Sequence, residues 1–135
     1  MSRPTVSVCT PTYNRRFFIP TLIKCFLNQT YPQHLMEWVI VDDGDDPIGD
    51  LFKGMKNVKY FRYEKKMKLG RKRNVANNKC TNDIIVYMDD DDFYPPDRVK
   101  HAVTRLCSKP SIKVAGSSIM YMYYTHINKI YSLGP

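Results

Sequence analysis

At 135 residues the chain has the length of one domain built around a single core. Hydrophobic residues at 43% and charged residues at 25% are ordinary globular usage, which excludes a disordered or fibrous chain. The net charge of +8 raises nucleic acid or a membrane surface as a partner, yet the charge is segregated rather than spread. Five carboxylates fall in Asp42–Asp50 and five in Asp89–Asp97, while residues 53–79 carry eleven Lys or Arg against the single Glu64. No 18-residue apolar run and no secretory signal of the usual build are present, so a cytoplasmic protein is expected, with peripheral membrane contact left open. Cys9, Cys25, Cys80 and Cys107 form no CxxC pair and are expected as reduced core thiols.

In chain order, TVSVCT (5–10) predicts a buried strand ended by Pro11. A polar loop, PTYNRR, leads to a helix whose apolar face is Phe18, Leu22, Cys25 and Phe26. EWVIVDD (37–43) has the continuous apolar run of a strand buried on both faces, and DDGDDPIGD after it is turn chemistry. NVKYFRY (57–63) is a weaker strand, LGRKRNVANNKC (69–80) a short helix with Val75 and Ala76 inward, and DIIVYMD (83–89) the strongest strand signal. Pro95 and Pro96 suit the opening of a helix with Val99, Val103 and Leu106 inside. The tail from Ser111 predicts one or two strands.

Regular alternation of strand and helix argues for an α/β fold with a mostly parallel central sheet and helices on both faces. Ligands in such folds gather at the carboxyl ends of the strands. Those ends carry Pro11, Thr12, Tyr13 and Asn14 after the first strand, Asp42 and Asp43 after the second, and Asp89–Asp92 after the fourth. Three polar clusters are therefore expected to meet at one crevice.

Four adjacent carboxylates repel by roughly 1 kcal/mol per close pair in water. A solvated loop tolerates that; a loop held at a sheet edge wants a cation, and all-oxygen ligands favour Mg²⁺ or Mn²⁺ with a substrate phosphate completing the shell. Asp42 and Asp43 can cap a turn or accept an N–H from a base. Tyr13 can stack on a base or sit as a half-buried loop aromatic. Arg71, Lys72 and Arg73 near a helix start can neutralise a diphosphate, through guanidinium forks and the positive end of the helix dipole. No GxxxxGK[ST] or GxGxxG occurs among the six glycines, so a P-loop or dinucleotide fingerprint is not supported.

SVCTPTYNR, VIVDDGDD, GRKRNVA and YMDDDDFYPPDRV, in this order and spacing over residues 6–99, resemble the family 2 glycosyltransferases of Rossmann-like GT-A fold. The resemblance implies a nucleotide-diphospho-sugar donor (UDP, GDP or dTDP) and an acceptor glycan, lipid or protein, with no nucleic acid as partner. It also implies Mn²⁺ or Mg²⁺ as cofactor and inverting transfer of the sugar. By position, Tyr13 looks like the base-stacking residue, with Pro11, Thr12 and Asn14 shaping its loop. Asp43, beside Asp42, looks like the acceptor for the base N–H, and Arg73, with Arg71, resembles the group that approaches the base or diphosphate. Asp89, Asp90 and Asp91 cover the DxD position, with Asp91 and Asp89 as metal ligands.

The sequence departs from the family pattern downstream, where inverting members carry an acidic general base. No carboxylate follows Asp97, and His101 and His126 read as surface or strand residues. Residues 1–135 are therefore expected to be the donor-binding part of a GT-A domain, or a minimal member, with the acceptor-binding portion missing. The competing readings are a nucleotide-sugar binder without turnover, a nucleotidyltransferase, and a basic nucleic-acid-binding module on residues 53–79. The second lacks a Gly-rich loop after the first strand, and the acidic clusters oppose the third.

Overall fold

The computed structural model describes residues 3–135. The elements run β1 (Val6–Thr12), α1 (Ile19–Leu27), β2 (Met36–Asp42), β3 (Val58–Arg62), α2 (Leu69–Lys79), β4 (Ile84–Tyr87), α3 (Arg98–Leu106), β5 (Met120–Tyr124) and β6 (Lys129–Leu133). Two compact units result, one reaching to Val103 and one covering Thr104–Pro135.

In the first unit a four-stranded sheet has the order β3-β2-β1-β4, every pair parallel. Alternation along the strands divides the apolar residues between two faces. Val6, Val8, Trp38, Ile40, Val86 and Met88 pack with Ile19, Leu22 and Phe26 of α1 and Val99, Ala102 and Val103 of α3. Cys9, Val39 and Val41 face the other way, against Ala76 of α2. Helices on both faces of a parallel sheet confirm the architecture expected from the alternation of elements. Phe26 stacks on Trp38 with ring centres 4.4 Å apart, and the Trp38 indole N–H donates to Thr10 Oγ1 at 2.9 Å, so the largest buried side chain leaves no polar atom unpaired.

Several local expectations shift. β1 runs through Pro11 to Thr12 instead of stopping before the proline. Cys9 bonds on the β4 side, its carbonyl accepting the Met88 N–H at 3.0 Å, and Pro11, two residues on, faces the same side. The β1–β4 pairing ends at Cys9↔Tyr87, so the N–H that proline lacks costs no ladder bond. Helix α1 opens at Ile19, which is buried and takes the inner position expected of Phe18; the Phe18 ring is exposed. Ala102, not Leu106, completes the inner face of α3.

The second unit carries an antiparallel hairpin, β5 with β6, as a sheet of its own. His126 lies on its turn, edge-on to Tyr124 with ring centres 5.9 Å apart. No helix among the described residues is long and apolar enough to cross a membrane. All four cysteines are free thiols; Cys9 and Cys25 are buried as expected, whereas Cys107 is exposed.

Candidate active site

Strand β1 is followed by a helix and strand on one side (β2) and neighboured by β4 on the other, so the sheet's topological switch point lies between β1 and β4. Open α/β sheets bind ligands there, beyond the strand carboxyl ends. A cleft of about 390 Å³ occupies that place. Its lining combines Pro11, Thr12, Tyr13, Asn14 and Arg15 after β1, Leu69, Lys72 and Arg73 at the start of α2, and Asp89, Asp90 and Asp91 after β4. Nine of the expected site residues are brought together here. Asp42, Asp43, Arg71 and Asp92 are not part of the lining.

Asp42 is committed to the turn that follows β2. Its Oδ1 accepts the Gly44 N–H at 2.8 Å, and its Oδ2 accepts the Ile48 N–H at 3.2 Å and the Tyr60 hydroxyl at 2.6 Å. Burial, then the Asp42 carboxylate, pushes the Tyr60 phenol up to about 12. Asp43 is enclosed; its Oδ2 accepts the Met67 N–H at 2.6 Å, and its other oxygen forms an ion pair with Lys72. Lys72 also donates to the Thr12 carbonyl at 2.9 Å. Of the three consecutive cations, Lys72 is the one buried, because it stands one helical turn before Ala76 on the inner face of α2, while Arg71 points outward. That i, i+4 relation was the sequence signal for Lys72.

The acidic turn 45–50 faces the β1 loop instead of a ligand. Arg16 grips Asp46 and Asp50 with paired contacts of 2.8–3.0 Å, and its guanidinium keeps both carboxyls below their usual range. Asn14, at φ +53°, accepts the Asp45 N–H at 2.6 Å and donates to the Asp45 carboxylate at 3.1 Å. Gly44 is required for this approach, since a Cβ there would lie 2.5 Å from the Asn14 nitrogen. Tyr13 is thereby held over the cleft, its hydroxyl 3.3 Å from Asp45 and its ring centre 3.9 Å from Lys66 Nζ and 5.6 Å from Lys72 Nζ.

On the opposite wall, Arg73 donates from one nitrogen, Nη2, to both Asp89 oxygens at 3.1 and 3.2 Å. The Asp89 N–H donates to the Tyr94 hydroxyl at 2.6 Å, which anchors the acidic loop from below. Asp90 is buried, and that burial raises its carboxyl above the usual range; the Thr12 hydroxyl and Arg15 pull it down, and Asp91 and Asp89 push it up. Arg15, 3.8 Å from Asp90 and 3.5 Å from Asp91, bridges the two walls. It is a cleft residue that the sequence reading did not single out.

Among the described residues no three acidic, His or Cys side chains are grouped as a ready cation cage. The oxygen donors nevertheless fit a hard cation of the Mg²⁺ or Mn²⁺ kind. Such ions take one or two carboxylates from the protein and the rest from water and substrate phosphates, and a desolvated carboxylate crowded by two others gains from a positive charge.

The family model described as "Glycosyl transferase family 2" matches residues 7–131, nearly the whole chain. The chain belongs to glycosyl transferase family 2. An uncharacterized glycosyltransferase of Haemophilus influenzae is 29% identical over 105 residues, covering 74% of this chain and 41% of that protein. Among solved structures, Staphylococcus aureus TarS (residues 1–349, in complex with UDP) superposes with a TM-score of 0.71 at 23% identity, covering 84% of this chain and 38% of that 1–349 chain. The mannosyltransferase PcManGT of Pyrobaculum calidifontis, in complex with GDP-Man and Mn²⁺, gives 0.69 at 25% identity, covering 79% of this chain and 33% of that one. The fold is GT-A, and the chain spans less than half the length of the relatives it matches.

Proposed function

We propose that the cleft between β1 and β4 binds the nucleotide and diphosphate of a nucleotide-diphospho-sugar, and that the sugar passes with inversion to a hydroxyl of a glycan, lipid or protein acceptor. The observation that carries this reading is the meeting of Tyr13, Lys72, Arg73 and Asp89–Asp91 in one cleft of about 390 Å³. TarS in complex with UDP or UDP-GlcNAc, and PcManGT in complex with GDP-Man, share the fold that builds that cleft.

In this reading the base stacks on the Tyr13 ring, within the loop that Pro11, Thr12 and Asn14 shape. Lys72 and Arg73 face the diphosphate, and negative charge that develops on it as the sugar leaves is met by fixed cations. Asp43 acts as a positioning residue, holding Lys72 at the cleft floor. Asp91 and Asp89 hold Mn²⁺ or Mg²⁺, which when bound supplies Lewis-acid stabilisation of the leaving diphosphate. Residues 98–135 contain no carboxylate, and no general base is assigned among them. The chain is accordingly proposed as the donor-binding part of the enzyme. Its four free thiols suit a reducing, cytoplasmic setting, and its +8 charge suits peripheral contact with an anionic membrane.

Calorimetric titration with UDP, GDP and dTDP, each with and without Mn²⁺, tests the proposal. Metal-dependent binding of one of them is expected. Absence of binding to all three, with salt-sensitive affinity for oligonucleotides in the same buffer, would overturn it in favour of a nucleic-acid module.

A further inference from the structure

Cys9 and Cys80 lie 71 positions apart in sequence, yet their sulfurs are 3.8 Å apart. Cys9 is fully buried in the middle of β1, and Cys80 is the half-buried residue that closes α2. We propose that these two thiols form a peroxide-responsive pair, in which Cys80 is oxidised first and Cys9 resolves it to a disulfide joining β1 to α2.

The geometry divides the labour. Cys80 reaches solvent, and its Sγ is held 3.2 Å from the Ala76 carbonyl at the helix end. Cys9 is shielded from solvent by the sheet and by α2, so an oxidant meets Cys80 first. Contact with the Cys9 thiol, with help from Ser7 and Lys59, holds the Cys80 thiol below its ordinary pKa, and the same contact together with burial raises Cys9. The attacking form of a cysteine is the thiolate, so the more exposed sulfur is also the more reactive. A disulfide requires the 3.8 Å between the sulfurs to close to roughly 2.05 Å, and Cys80, half-buried where Cys9 is fully enclosed, is the side chain that would move.

The chemistry balances with hydrogen peroxide as oxidant. The Cys80 thiolate attacks one peroxide oxygen, the O–O bond breaks, and the released hydroxide takes up the proton that the thiol lost, leaving as water. Cys80 is then a sulfenic acid. The Cys9 sulfur attacks the Cys80 sulfur, the S–O bond breaks, and the hydroxyl leaves as a second water carrying the Cys9 proton. Two thiols have given two electrons and two protons to one peroxide.

The test uses the full chain with Cys107→Ser, which removes the exposed thiol from competition. After mild hydrogen peroxide treatment, the intact mass is expected to fall by about 2 Da, and tryptic peptides ending at Arg15 and Arg98 are expected to be found joined until a thiol reductant is added. In a Cys9→Ser variant, Cys80 is expected to stop at the sulfenic acid and be captured by dimedone. Oxidation of Cys80 to sulfinic or sulfonic acid without linkage to Cys9, linkage to Cys25 instead, or no loss of thiols in the parent chain would each overturn the proposal.

Discussion

Lys72 of α2, in the cleft lining, and Asp43, the residue after β2, form an ion pair with both side chains enclosed. Removing one charge from such a pair leaves the other desolvated without a partner, at a cost of roughly 3–5 kcal/mol. Lys72→Met is therefore expected to destabilise the fold by about that amount in urea unfolding. The double variant Lys72→Met with Asp43→Leu should cost clearly less than the sum of the two single changes. A loss below about 1 kcal/mol for Lys72→Met would mean that Asp43 finds water or another donor.

Asp91, unlike Asp89 and Asp90, is exposed, and its ion pair with Arg15 is long, at 3.5 Å. Asp91→Ala is expected to leave the thermal melting temperature within a few degrees and to remove Mn²⁺-dependent nucleotide binding. Calorimetry with and without the metal checks this. Metal-dependent affinity that survives the change would move the ligand role to Asp89 alone.

Tyr13 combines a ring over the cleft with a hydroxyl bonded to Asp45. Tyr13→Ala should weaken nucleotide binding by roughly 1–3 kcal/mol, the usual worth of base stacking. Tyr13→Phe keeps the ring and should retain most of the affinity. Equal losses in both variants would assign the effect to the hydroxyl and the loop it tethers.

Glu37 is a buried carboxylate on β2. Although burial opposes its charge, bonds from Lys59, Ser7 and Thr81 bring its pKa down to about 2 from the usual 4.5. A carboxyl with a depressed folded-state pKa stabilises the fold fully above its unfolded pKa, and that contribution is lost as pH falls through the folded value. Glu37→Gln should cost roughly 1–3 kcal/mol near neutral pH. The gap between variant and parent should narrow between 4.5 and about 2, followed by urea midpoints at stepped pH. A gap that stays constant over that window would show the loss to be packing and not charge.

The parallel sheet was readable because β2 is an unbroken apolar run and three strands end in polar clusters, features that depend on composition along one segment. Which cluster member faces the cleft depends on contacts between segments, and there the sequence was less informative. Asp46 and Asp50 read as turn residues, and nothing beside them in sequence pointed to Arg16, 30 or more positions away, which holds both. Asp42 and Asp43 stand side by side, yet one caps a turn and the other pairs with Lys72, because alternate strand residues face opposite ways. Glu37, a lone acid at the start of a buried strand, carried no sign that Lys59 and Thr81 would meet it. The helix phase carried a signal for Lys72 over Arg71, its spacing to Ala76, but the sequence reading weighed the three cations alike.

The lining of the cleft contains three fixed cations, Arg15, Lys72 and Arg73, and three carboxylates, Asp89, Asp90 and Asp91. A pocket so balanced exerts little long-range pull on either sign of ion. A diphosphate arriving alone meets cations already matched by carboxylates, and a divalent cation arriving alone meets carboxylates already matched by cations, so either one leaves the cleft with a net charge. Together they come close to electroneutrality, so the two have more to gain by entering as a complex than either has by entering first.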